Sequence, residues 1–264
     1  MIRVLRYQLI GGLLGFHAVI INFLVQVGQI NDSGLSGALD WDMAQILLDT
    51  SLGDLSLFRL VGFVLICLSA FLCLRQSRMF STAPDSRFYQ RNILGTVLGY
   101  LLLLYSFRFG GHVSVLGQPA QLALSLHFVC FSLWIGALWP LYHISSVSER
   151  NNLHLILKNF GNHAVFVVSA LLIAGVVMLL EVIRAPMELL QTPYGRSLLL
   201  KLLLVLALLG IAAMNKLVLV PALLAEGTIT RFRQSVKLEI LVAILLLLAT
   251  AYLSTIVGPM SQEM

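Results

Sequence analysis

Long apolar runs separated by short polar stretches set the pattern of this chain. Seven runs are readable, at about 7–29, 56–74, 92–108, 121–143, 161–183, 197–219 and 236–257. About 20 mostly apolar residues, each adding about 1.5 Å, suffice to cross a bilayer core as a helix. The pattern therefore predicts an all-α, polytopic transmembrane bundle of about seven spans, one domain over 1–264. The first run is too long for a signal-peptide core and lacks a small-residue cleavage site, so it reads as the first span.

The fourth run, Leu122 to His143, contains no Asp, Glu, Lys or Arg but does contain a histidine. At about 100° per residue, His127, Cys130, Phe131, Trp134 and Leu138 share one side of that helix, and Ser125, Ser132 and Gly136 the opposite side. Small residues allow close helix approach in lipid, so Ser132 and Gly136 read as the packing seam. The His127 and Cys130 side is then left for chemistry, with helix-to-helix hydrogen bonding the competing use of His127. Gly11 with Gly15, and Gly95 with Gly99, have the same close-crossing spacing. In the first span His17 lies away from Asn22 and Gln26, so that helix should face a bundle interior.

Residues 47–53, LLDTSLG, resemble residues 189–195, LLQTPYG, and each stretch leads into a span. This weak parallel repeat pairs spans one to three with five to seven and leaves the fourth without a partner, as if a leading helix were absent. Arg59 and Lys201 occupy matching places six residues after the two glycines. Both read as snorkelling groups near span ends, like Arg108, Arg184 and Arg196.

Composition sharpens the class. Hydrophobic residues make up 59% and charged residues 11%, too little polar surface for a soluble domain of 264 residues. The net charge of +5 is spread over short loops, which excludes a nucleic-acid-binding domain and turns charge into a topology signal. With the N-terminus inside, twelve of the seventeen basic residues fall inside, which predicts a cytoplasmic N-terminus and a periplasmic C-terminus. The segment 31–55 would then be an acidic outer loop, its Asp32, Asp40 and Asp42 either attracting cations or serving solubility. Three cysteines within apolar runs give no disulfide framework.

No phosphate-binding loop, zinc-protease motif or serine-hydrolase elbow occurs, so ATP hydrolysis and hydrolytic catalysis are not expected, and no enzyme activity is assigned. What remains is a set of soft ligands. His112 lies in the outer loop, His127 a turn or two inside span four, and His17 deeper in span one. Met178 adds a thioether and Cys130 a thiol, and His, Met and Cys together suit Cu(I). For any single methionine, core packing is the commoner role. His143, His154 and His163 fall at the inner side, where they read as solvated loop histidines.

Several ordered stretches resemble the CopD (copper resistance D) family: GGHVS, LHFVCFSLWIGALWPL, FGNHAVFVVSALLIAGV, LLQTPYGRSLLLKLLLVLALLGIAAMNKLVLVPAL and SVKLEILVAILLLLATAYL. The resemblance runs over about residues 40 to 260. The family pattern falls on Gly111-His112, Leu126-His127, Trp134-Ile135-Gly136, Tyr194-Gly195, Lys201, Asn215, Val220-Pro221 and Glu239. The chain departs from it in reading Trp-Ile-Gly-Ala, and in having seven readable spans against the family's usual eight. The resemblance implies a copper-handling protein of a bacterial inner membrane that moves copper from periplasm to cytoplasm beside a periplasmic CopC-type copper-binding partner. Two other functions fit a histidine-bearing bundle. One is a b-type haem electron-transfer protein using His17 and His127 as axial ligands; the other is a receptor for a periplasmic copper carrier that transports nothing.

Overall fold

The computed structural model describes residues 1–31, 34–77, 79, 85–110, 118–182, 187–225 and 228–253. All regular structure among them is helical. The expected single domain resolves into two compact units, Met1–Gly117 and Gln118–Met264.

The first unit contains α1 (Ile2–Ile30), α2 (Gly34–Gly37), α3 (Trp41–Leu48), α4 (Ser51–Ser77) and α5 (Ser86–Tyr105), the last ending in a 3-10 turn. Helix α4 lies between antiparallel neighbours, and glycines set the approach. A Cβ on Gly15 would overlap the Phe63 ring, and one on Gly12 would lie 2.6 Å from Cys67 Sγ. On the other side, Cβ atoms on Gly62 and Gly99 would press within 2.7 and 2.5 Å of each other's carbonyl oxygens. The Gly95 and Gly99 seam is thus as the spacing predicts. In α1 the contact instead uses Gly12 and Gly15, since a Cβ on Gly11 meets nothing within 4 Å. A polar cluster ties the three helices together. Gln8 Nε2 donates to Thr96 Oγ1 (2.8 Å) and Ser69 Oγ (3.3 Å), and Asn92 Nδ2 donates to Gln8 Oε1 (3.0 Å).

The second unit contains α6 (Gln118–Ile144), α7 (Arg150–Val182), α8 (Glu188–Gln191), α9 (Pro193–Met214) and α10 (Thr228–Tyr252). Between α9 and α10 come a π turn, Asn215–Leu219, and a 3-10 turn, Pro221–Leu224. Thr192 caps α9, its Oγ1 accepting from Gly195 N (2.9 Å). Cys130, Trp134, Leu171, Leu208, Val242 and Leu246 form one apolar cluster across four helices. Leu138, Leu153, Leu157, Leu223, Phe232 and Val236 form a second.

Among the described residues, six helices are long and apolar enough to cross a membrane: α1, α4, α6, α7, α9 continued to Leu219, and α10. The protein is a multi-pass membrane protein. The third predicted span, 92–108, is present as α5 but falls short of that measure. Arg87, Gln90, Arg91 and Asn92 occupy its first turns, leaving an apolar stretch of only roughly 20 Å against a core of about 30 Å.

The described part of the segment expected as an outer loop contains the helix α3. Asp40 caps α3, accepting from Met43 N (3.0 Å) and Asn31 Nδ2 (2.8 Å). The repeat survives as a local motif, since α3 and α8 are short helices that each precede a threonine turn and a long helix.

Candidate functional site

His127 is held by its neighbours. Its ring lies half-buried on α6, and Nδ1 donates to the Leu171 carbonyl oxygen on α7 at 3.1 Å. One turn along α7, Gly175 makes room for it: a Cβ there would stand 3.3 Å from His127 Cε1. The hydrogen bond fixes the proton on Nδ1 and leaves the Nε2 lone pair available, the arrangement in which a histidine typically meets a metal ion. The same bond braces α6 against α7, so the ring serves packing whatever else it does. Met178 lies partly buried on α7, one turn beyond Gly175 and on the same face as Leu171 and Gly175.

Cys130 has a different setting. It is 5% exposed within the apolar cluster that includes Trp134 and Leu171. His17 belongs to the first unit, exposed, with Nδ1 donating to Leu13 O on its own helix (2.7 Å) and its ring edge-on to Phe16. His17 and His127 thus belong to separate units. His112 lies outside the described residues. Among the described residues, no group of three or more His, Cys, Asp or Glu side chains is placed to hold a metal ion.

The two faces of α6 exchange the roles expected of them. Cys130, Trp134 and Leu138 are buried, whereas a Cβ on Gly136 would meet nothing within 4 Å. Bulky side chains make the contact because the neighbouring helices offer complementary apolar surface, and van der Waals area outweighs small-residue approach here. The histidines expected at the inner side are likewise not in loops. His143 is in α6, stacked on Trp139. His154 and His163 are in α7, with Nδ1 donating to Val220 O (3.0 Å) and Asn159 O (2.8 Å). Nor are Lys201 and Arg59 free snorkellers: Lys201 is half-buried within electrostatic reach of His127, and Arg59 Nε donates to Ser106 Oγ (3.1 Å).

A second polar centre lies deeper in the Gln118–Met264 unit, where residue chemistry alone gave little reason to look. Glu239 on α10 is 3% exposed. Its Oε2 accepts from Asn215 Nδ2 at 2.8 Å, and its carboxylate also accepts from the Trp134 side chain. Both partners are neutral donors. Asn215 opens the π turn, in which Val220 N reaches back to Asn215 O (2.8 Å), and such wide turns gather at functional sites. Asn215 Oδ1 is buried with no hydrogen-bond partner. The available signal was a carboxylate inside an apolar run, together with Asn215 and Glu239 in the family pattern. Glu239 lies well inside α10, among its buried residues.

Comparison with known proteins bears on both centres. Residues 154–253 match the family model described as copper resistance protein D, CopD. The match includes Met178, Lys201, Asn215 and Glu239, while His127 and Trp134 precede it. Neither the curated proteins nor the solved structures yielded a match.

Proposed function

Because its residues 154–253 match the family model of copper resistance protein D, we propose that this multi-pass membrane protein binds copper and carries it inward across a bacterial inner membrane. The observation that supports this reading is the state of His127: Nδ1–H is engaged by the Leu171 carbonyl, and Nε2 is free to take a soft cation. Met178, on the adjoining face of α7, supplies a thioether that favours Cu(I), and His112 acts as the capturing group before His127. Cys130, enclosed by apolar side chains, and His17, in the other unit, are secondary candidates. The N-terminus is cytoplasmic, and a periplasmic CopC-type protein delivers the metal. Copper is the cargo, and no catalytic step is assigned.

Copper stoichiometry and affinity of purified variants test the assignment. His127→Ala is expected to lose about tenfold or more in affinity. His163→Ala, an exposed residue bonded to its own helix, should bind as the parent does. A folded His127→Ala that retains parental affinity assigns the ring to helix bracing alone. Copper content of cells with and without the gene separates transport from docking of a carrier.

A further inference from the structure

The π turn and helices α6, α7, α9 and α10 line a cavity of about 340 Å³. Its walls are mostly apolar, with three aromatic side chains, Trp134, Phe160 and Phe232. Asn215 and Glu239, respectively 7% and 3% exposed, are the buried polar residues of its lining. Lys216, also at the cavity, has its ammonium engaged, Nζ donating to Gly161 O (2.7 Å) and Asn162 Oδ1 (3.3 Å). Asn215 Oδ1 therefore remains an acceptor without a donor. Val165 and Leu217, both exposed apolar residues, border the cavity, so a molecule dissolved among lipid chains has an apolar way in.

We propose that this cavity binds a membrane-soluble aromatic alcohol, of the phenol and hydroquinone class, with its ring among the aromatic walls and its hydroxyl donating to Asn215 Oδ1. A buried acceptor left without a donor is unfavourable, so a ligand that supplies an O–H gains where one without it does not. The volume falls at the small end of ligand pockets, enough for a substituted ring and too little for a large polar cofactor. Flat aromatic walls favour a ring over an alkyl chain through stacked and edge-on contacts. Glu239 acts as a positioning residue: its carboxylate holds Asn215 Nδ2, which turns Oδ1 away as the free acceptor.

The test is calorimetric titration of the full chain in lipid nanodiscs with trimethylhydroquinone, kept reduced, alongside its dimethyl ether and 1-octanol. The hydroquinone is expected to bind saturably, one per chain, and the ether and the alkyl alcohol at least about tenfold more weakly. Ala213→Phe should abolish binding, because Ala213 borders the cavity yet is exposed, so a larger side chain there fills space without breaking the core. Asn215→Leu should weaken the hydroquinone toward the level of the ether. Equal binding of hydroquinone and ether, octanol binding as tightly as the ring, undiminished binding by a folded Ala213→Phe, or no saturable binding would each overturn the proposal. Copper affinity is read in the same preparations and depends on His127, so the two readings fail separately.

Discussion

His127 and Glu239 are both polar groups inside an apolar bundle, and their partners give them different work. His127 meets a carbonyl oxygen and so keeps one nitrogen free, whereas Glu239 accepts from the Asn215 amide. Removing the donor to a buried acceptor oxygen costs about 1–3 kcal/mol, since that oxygen is left unpaired away from water. Asn215→Ala should therefore lower the thermal midpoint, whereas Asn162→Ala, at an exposed position, should leave it unchanged. Lys201 offers a second prediction. A positive charge within reach of His127 opposes a cation at that ring, so Lys201→Met should tighten copper binding several-fold at low salt. Unchanged affinity would mean that the metal sits beyond the reach of that charge. At this scale the sequence was partly legible. It singled out His127 by depth and residue type, but a carbonyl from a residue 44 positions away is invisible to periodicity. Asn215 and Glu239 stood in the family pattern as separate marks, and only folding makes them a pair.

Helix faces can be read from spacing, but which face packs depends on what the neighbour offers. Gly136, spaced as a seam residue after Ser132, has open space where its Cβ would be, whereas Gly95 and Gly99 had the same spacing and form a seam. The difference lies in the partner: α4 presents Gly62 and Ser69 opposite the second pair, and backbone can then meet backbone. Gly99→Leu should consequently force α4 and α5 apart and abolish recovery of folded protein, while Gly136→Ala should be neutral or stabilising by up to about 1 kcal/mol, because alanine favours the helix. Size-exclusion profiles of the two variants in detergent decide between them. Helix α3 gives a pH signature. The Met43 amide, with Asn31 contributing, holds the Asp40 carboxyl below its ordinary value of 3.8. A carboxyl with a depressed pKa adds stability that is fully present above the ordinary value and is lost as pH falls through the depressed one. Exchange of the Met43 amide should therefore accelerate only below about pH 4, once intrinsic rates are allowed for. Asp40→Asn keeps a capping oxygen and should remove that acid dependence.

For the molecule as a whole, hydropathy gave the class and nearly every span, because crossing a bilayer imposes a length and a composition that no soluble fold shares. It could not give the division into two units at Gly117, which depends on contacts far apart in sequence. Helix α5 carries the remaining topological weight. It runs back along α4 from the Ser69 and Gly95 contact to the Gly62 and Gly99 contact, so short as it is, it should accompany α4 through the bilayer. Met1 and Met264 are then expected on opposite sides. A reporter active only in the cytoplasm should be silent when fused to Met264, and full activity there would leave α5 as a surface helix with an even number of crossings.

The π turn at Asn215–Leu219 also bears on insertions and deletions. Leu208 and Asn215 are two α turns apart and both buried, but in a regular α-helix Val220 would point about 140° away from Asn215. The widened turn returns Val220 to the buried side, and thus absorbs one surplus residue without rotating the helical positions after it. Loss of a single residue from Leu217–Leu219 should accordingly convert the turn to α geometry and keep the later core positions in phase, while gain of one should turn them out. Chains of this architecture that differ by one residue at this place can share every buried position on either side of it.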